Sequence, residues 1–190
     1  MNMVKLSKKT LLAAALGLAA WGSALAQATV SLSATPNPVN VGSTVQVSVN
    51  ISGALDLYAY QFSLLFNPAV LQATGSSDGS FLSGGGTVFF VPGAIDNTAG
   101  SINFTAASLL GLLPGVDGSG TLATLNFNVT GFGTSALNFA DGVLVNSELG
   151  DLPAQFVDGA VQAVPEPGTW LMLGLGLAAV AGAARRRSAA

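Results

Sequence analysis

Between the two ends of this sequence, the side chains that could do acid–base or metal chemistry are almost all carboxylates. Residues 27–164 contain no Lys, Arg, His or Cys. They carry eight carboxylates, since the ninth of the chain, Glu166, lies just beyond them. The nucleophile–base pairs of common hydrolases need His, Cys or Lys, so they cannot be built there. A carboxylate pair that cleaves a glycosidic bond is formally available, as Asp117 with Asp141 or Asp151 with Asp158, but most of these acids flank glycine or a loop and are typical of turns and surfaces. The sequence therefore predicts a domain that is not an enzyme.

Calcium is the metal that this composition would suit, because hard divalent cations prefer oxygen ligands. The candidate ligands are Asp96, Asp117 and Asp141. No EF-hand spacing is present, and acids beside glycine or asparagine are typical of solubilising turns. We therefore favour turn residues over a calcium site and predict no resident cofactor.

The charge of residues 27–164 also limits the partners of the domain. A formal charge of −8 without a single cationic side chain excludes nucleic acid, whose phosphates need cations to neutralise them. Side-chain salt bridges within the segment are excluded for the same reason. At 138 residues the segment has the size of one domain, and its stability must come from apolar burial and backbone hydrogen bonds.

The first 26 residues have the order of a secretory signal peptide. Three lysines come first, an apolar run extends from Leu11 to Ala20, and Ala24 and Ala26 form an Ala-x-Ala exit. We predict cleavage after Ala26. The alternative, an N-terminal membrane anchor, is disfavoured because the apolar run is short.

The C-terminal segment, residues 164–190, has the order of a membrane-sorting signal. Pro165, Glu166 and Pro167 precede an apolar stretch from Trp170 to Ala184, and Arg185, Arg186 and Arg187 follow it. An indole prefers the membrane interface, and arginines stay on the cytoplasmic side. The stretch of 15 residues is shorter than the roughly 20 of a comfortable helical span. We predict an anchor helix with the domain outside and the tail inside.

This tripartite order resembles the PEP-CTERM family of bacterial surface proteins. The resemblance implies that an exosortase, a membrane-embedded sorting enzyme, acts near Pro165-Glu166-Pro167 and removes the tail. It also implies an inner-membrane-anchored precursor and a final location at the cell surface or in the extracellular matrix. The alternative is a plain C-terminal anchor behind a Pro-rich hinge.

The middle of the chain alternates between apolar and polar residues with the period of a half-buried strand. The three clearest runs are 45–51, 60–66 and 123–129. Shorter candidate strands lie at 29–34, 87–91, 101–106, 135–139, 143–146 and 155–163. Gly, Pro, Asn and Asp fill the gaps between them, and the domain shows no sustained helical period. The pattern predicts an all-β sandwich.

Two stretches of this domain resemble cohesin domains. In residues 56–71 an alternating aromatic strand runs into a turn of the form Asn-Pro-x-Val-Leu, where Asn67 replaces the usual Asp. Residues 120–129 are similar to the later cohesin strand that follows a Gly-rich loop. The resemblance implies a cohesin-like jelly-roll β-sandwich of about nine strands over residues 27–163.

From these features we predict a non-enzymatic binding module at the cell surface, with a protein or an extracellular polysaccharide as its ligand. Cohesins pair with dockerins, which makes a dockerin-like protein one expected partner. Tyr58, Phe89 and Phe90 are the candidate binding aromatics. We expect binding to use either a sheet face or the loops around 81–96 and 109–120. The alternative is a structural exopolysaccharide or biofilm-matrix protein without a specific ligand.

Overall fold

The β-strands form where apolar and polar residues alternate in sequence. The computed structural model describes residues 27–188, so the predicted signal peptide with Ala24 and Ala26 lies outside the described residues. Within them the strands are β1 Ala28–Thr35, β2 Val39–Asn40, β3 Thr44–Leu65, β4 Leu71–Asp78, β5 Val88–Val91, β6 Ala94–Asp96, β7 Ser101–Leu109, β8 Val116–Val129, β9 Gly133–Asn146, β10 Asp151–Leu152, β11 Ala154–Val157 and β12 Gly159–Val164. A 3-10 turn at Leu82–Gly84 and helix α1, Pro167–Ser188, complete the elements.

Strand β3 belongs to both sheets of the fold. Its first half pairs with β1 and β8, and its second half pairs with β7 and β9. The chain bends between the halves, where Gly53 and Asp56 have positive φ. The two strands predicted at 45–51 and 60–66 are therefore one continuous strand that crosses from one sheet to the other.

The two sheets that share β3 form the two layers of the fold. One has the strand order β4-β8-β3-β1-β11, and the other has the order β5-β7-β3-β9-β10, with β6 also paired to β7. The beginning of β9 pairs with β12, which pairs in turn with β2. The β1–β11 and β12–β2 pairs are parallel, and the other pairs are antiparallel.

The core between the two sheets holds the apolar side chains that the alternation predicted to be buried. These are Val45, Val47, Val49, Ile51, Tyr60, Phe62, Leu64, Phe66, Ala123, Leu125, Phe127 and Val129. Burying one side chain of the size of Val, Leu or Phe stabilises a fold by roughly 1.5–3 kcal/mol. The predicted sandwich class is confirmed. The described residues form twelve strands rather than nine, because β2, β4, β6 and β10 were not predicted and the predicted strand 155–163 is split into β11 and β12. Two pairs of predicted strands are instead single strands: 45–51 and 60–66 are both part of β3, and 135–139 and 143–146 are both part of β9.

Helix α1 contributes little to this core. Leu171, Met172, Leu173, Leu175, Leu177 and Val180 are all more than half exposed. The sandwich thus has a complete core without the helix. The side chains of Trp170, Arg185, Arg186 and Arg187 lie outside the described part of the chain. Within residues 27–188 no helix combines the length and the apolarity needed to cross a membrane.

Asp56 holds the bend of β3 in place. Its carboxylate accepts hydrogen bonds from the Gly115 N–H at 2.7 Å and from the Ser147 hydroxyl at 2.8 Å. A third bond comes from the Ser147 N–H at 3.2 Å. A β-carbon at Gly115 would lie 2.2 Å from the Asp56 backbone, so only glycine allows this approach. The bonds from Ser147 and Gly115 favour the ionised form and lower the pKa of Asp56.

This lowered pKa predicts a loss of stability in acid. Because the folded state holds the ionised carboxylate, the contribution of Asp56 is complete above its ordinary pKa of 3.8 and disappears as the pH falls through the folded pKa. Asp56→Asn tolerates the positive φ but loses the charge. In urea unfolding, we expect the wild type to exceed D56N in stability at pH 7 and the difference to shrink at pH 3. An equal difference at both pH values would contradict this role.

Candidate functional site

An apolar groove runs over the outer face of the second sheet, across β5, β7, β3 and β9. It has a volume of about 420 Å³. Two cross-strand rows build it, as the strand registers show. The first row is Phe89, Ser108, Ala59 and Val145; the second is Val91, Ala106, Gln61 and Val143. We call this surface, together with Phe104 at one end, the outer groove.

Three of the four side chains in the middle of the outer groove are small, the fourth being Gln61, and those at its sides are large. Ala59, Ala106 and Ser108 form most of the floor. Phe89 and Val91 on β5 form one wall, and the valines of β9 form the other. Three inter-strand spacings of about 4.8 Å separate β5 from β9, roughly 14 Å in all. The wall side chains occupy part of that width, so the floor can receive the apolar side chains from one face of a helix, which is itself about 10–12 Å across.

Phe104 closes the groove at one end because of a β-bulge. Phe62 pairs with Thr105 and Leu64 with Ile102, so two residues of β7 face the single residue Ser63 of β3. Phe104 has a φ of 59°, which is rare for a residue other than glycine, and its N–H donates to Ser63 Oγ at 3.1 Å. Such backbone costs on the order of 1–3 kcal/mol and is concentrated at functional sites. The bulge leaves the ring 54% exposed beside the groove.

Of the three aromatics predicted to bind a ligand, Phe89 lines the outer groove. It is 58% exposed and stands on the face opposite the core. Phe90 is partly buried and packs against the core. Tyr58 also packs against the core, and its hydroxyl donates to the Gly111 carbonyl at 2.6 Å. Tyr58 and Phe90 are therefore not part of this surface.

Phe104 is the groove residue that the sequence did not reveal. Simple alternation places Phe104 on the same side of its strand as Ile102, which is fully buried. The bulge at 103–104 instead places the Phe104 side chain on the outer face of the sheet. No signal in the sequence marks the bulge, because its support is Ser63, which is 41 residues away along the chain.

The three candidate calcium ligands have separate roles in the structure. Asp96 caps a turn by accepting bonds from the Thr98 and Ala99 N–H groups, both at 2.9 Å. Asp117 accepts the Asp56 N–H at 2.6 Å. Asp141 is exposed on β9, two residues before Val143 and therefore on the groove side of that strand. Among the described residues, no three acidic side chains are grouped so that they could hold a metal ion.

Two neighbouring titratable groups have raised pKa values, the buried Tyr60 hydroxyl and the partly exposed Asp78 carboxyl. The Tyr60 hydroxyl donates to the Leu122 carbonyl and so links the two sheets. Burial raises its pKa, and the neighbouring Asp78 carboxylate raises it further. Burial also raises the pKa of Asp78. Tyr60 is 2% exposed, so its hydroxyl serves the core and is not open to a ligand.

The strand order defines a two-sheet β-sandwich. More narrowly, the chain belongs to the cohesin family, because the Cohesin domain model matches residues 29–163. The model of the PEP-CTERM protein-sorting motif matches residues 163–187. Both resemblances predicted from sequence are confirmed. Cohesin domains are non-catalytic protein-interaction modules. No curated protein matches the chain.

Solved cohesin structures share the fold at low sequence identity. A type II cohesin domain from the cellulosome of Acetivibrio cellulolyticus is 20% identical, with a TM-score of 0.61 over 71% of this chain and 95% of that one. A chain from a type II Cohesin-X-Dockerin complex of the same organism is 16% identical, with a TM-score of 0.62 over 73% and 100%. A non-cellulosomal cohesin from the archaeon Archaeoglobus fulgidus is 16% identical, with a TM-score of 0.56 over 77% and 98%.

Proposed function

We propose that this chain is an exported, non-enzymatic module that binds a helical segment of a protein partner in the outer groove. The observation that carries the proposal is the small-residue floor between apolar walls. Amphipathic helices bind in such grooves by laying their apolar face against the floor. A dockerin-like protein is the partner class we expect.

A protein segment suits the outer groove better than a polysaccharide does. Phe89 and Phe104 could stack on sugar rings, but sugars also need several hydrogen-bonding side chains. Gln61 and Ser108 are the polar side chains of the two rows that build the groove. Tyr60 also lines it, but its hydroxyl is bonded to the Leu122 carbonyl in the core. The lining therefore favours apolar protein side chains, and polysaccharide binding is the second candidate.

The charge of the domain specifies the partner further. Residues 27–164 carry eight carboxylates and no cations, and Asp141 lies beside the groove. We expect the partner helix to carry Lys or Arg next to its apolar face. Their attraction to the carboxylates of the domain would steer association and set the orientation of the helix in the groove. The domain itself needs no cofactor and does no chemistry, in keeping with its lack of His, Lys, Arg and Cys.

The C-terminal segment gives the route by which the module reaches its place of action. We propose that helix α1 tethers an exported precursor to the inner membrane and that an exosortase-type enzyme acts at Pro165-Glu166-Pro167. The module then resides at the cell surface or in the extracellular matrix. The match to the sorting motif over residues 163–187 supports this route.

Affinity capture with residues 27–164 tests the binding proposal. The immobilised domain is exposed to secreted and surface proteins and, separately, to exopolysaccharide from the source cells. We expect a protein with an amphipathic basic helix to be retained. Retention of polysaccharide alone would favour the second candidate and contradict a protein ligand.

The variant Phe104→Asn provides a sharper test of the same surface. Asparagine tolerates positive φ, so the bulge and the fold should remain while the exposed ring is lost. Aromatic hot spots are worth about 2 kcal/mol or more, so we expect roughly thirty-fold weaker binding of the captured partner by calorimetry. Unchanged affinity with an unchanged melting temperature would remove Phe104 from the binding surface.

A further inference from the structure

The sorting motif begins where the sandwich ends. Strand β12 ends at Val164, which pairs with Asn40 of β2, and the Val41 N–H donates to the Val164 carbonyl at 3.0 Å. Helix α1 begins at Pro167. Pro165 and Glu166 are thus the whole connection between the last strand and the helix.

A cleft lies between the motif and the end of the sandwich. It has a volume of about 230 Å³ and is lined by Val41, Phe132, Pro165 and Glu166. We call it the motif cleft. Phe132 stands in the β8–β9 turn and is 76% exposed, although it is a large apolar side chain.

The exposed side chain of Glu166 lies beside Gly42 of the domain. Its carboxylate oxygen lies 3.6 Å from the position that a β-carbon at Gly42 would take. Gly42 has a φ of 86°, a conformation that favours glycine. This end of the sandwich therefore presents an apolar ring and a carboxylate side by side, next to the motif.

We propose that the enzyme that reads the sorting motif docks on the motif and the sandwich end together, with Phe132 as its apolar anchor. This inference rests on the proposed processing at Pro165-Glu166-Pro167. The partner is a membrane-embedded enzyme with an apolar pocket for the ring and a cationic group for Glu166.

The short connection between the sandwich and helix α1 supports this docking mode. With two residues between them, an enzyme that touches Glu166 also comes close to Phe132, because both residues line the motif cleft. Exposed aromatic side chains at such positions are the usual energetic centres of an interface.

A processing assay in cells that contain the sorting enzyme tests the proposal. The full chain is pulse-labelled, and conversion of precursor to the shorter product is followed on gels. Phe132→Ala is compared with Leu149→Ala, a matched control because Leu149 is also 76% exposed. The Leu149 N–H donates a hydrogen bond to the Asn146 carbonyl, and Asn146 pairs with Leu57 near the bend of β3. Leu149 therefore lies at the opposite end of the sandwich from Phe132.

We expect F132A to slow conversion about ten-fold or more, as loss of an aromatic hot spot would, and L149A to convert at the wild-type rate. Replacing Pro165, Glu166 and Pro167 with alanine should abolish conversion. If that triple variant is processed normally, the proposed function itself fails. If the triple variant is not processed but F132A is converted at the wild-type rate, the docking role of Phe132 is wrong. The same conclusion follows if F132A and L149A are slowed to the same extent.

Repeating the assay with purified enzyme in detergent micelles distinguishes two possible partners of Phe132, the sorting enzyme and the lipid surface. Docking on the enzyme predicts that F132A is slowed equally in micelles and in membranes. Slowing only in membranes would assign Phe132 to the lipid interface and overturn the proposal.

Discussion

Replacing Ala106 with arginine should abolish partner binding while leaving the fold intact. Ala106 lies in the floor of the outer groove, between Val91 on β5 and Gln61 on β3. An arginine there would fill the space a helix needs and would place a charge under its apolar face, which is costly to desolvate. We expect affinity for the captured partner to fall by at least 100-fold, measured by calorimetry.

Gln46→Arg is the matched control for this charge change. Gln46 is exposed on the first half of β3, in the other sheet, where it pairs with Thr35 and Asn126. The two variants carry the same net charge, so a general electrostatic effect would appear in both. Loss of binding in both, or in neither, would contradict a site in the outer groove.

Phe127→Ala should cause the largest loss of stability. Phe127 is fully buried, and its ring meets Phe66 edge to face with centroids 5.2 Å apart. Truncating such a side chain costs about 3–5 kcal/mol through lost burial and the cavity left behind. Most single domains have only about 5–15 kcal/mol of stability, and this one has no disulfide or side-chain ion pair to compensate.

Thermal unfolding followed by circular dichroism checks this expectation. For a domain of this size each kcal/mol is worth roughly 3–5 °C, so the melting temperature should fall by about 10–20 °C. The control is Phe132→Ala, because that ring is mostly exposed. F132A should melt within about 2 °C of the wild type, since surface substitutions usually change stability by less than 0.5 kcal/mol. Equal effects of the two variants would contradict the assigned core.

Most of the fold could be predicted from local pattern because the core strands obey strict alternation. Residues 45–51 and 123–129 pair with each other in one sheet with every odd-numbered residue buried. The continuity of β3 could not be predicted, because it depends on Asp56 adopting a positive φ. That conformation is held by bonds from Gly115 and Ser147, which lie far along the chain.

The candidate site was less predictable than the fold. Phe89 could be found because alternation within β5 places one ring of the Phe89–Phe90 pair outside. The small residues of the floor, Ala59 and Ala106, have no chemical signature of their own. They form a groove only because three strand registers place them side by side. Phe104 was hidden by the bulge opposite Ser63.

The central claim, that a protein partner occupies the outer groove, can be measured directly by cysteine protection. The chain contains no cysteine, so one introduced cysteine is the only thiol, and its labelling rate reports the accessibility of that position. Val143→Cys places the thiol in the groove wall, and Gln46→Cys places it on the outer face of the other sheet. With saturating partner, we predict that maleimide labelling slows strongly at position 143 and is unchanged at position 46. Unaltered labelling at 143, or protection at 46 instead, would contradict binding in the groove.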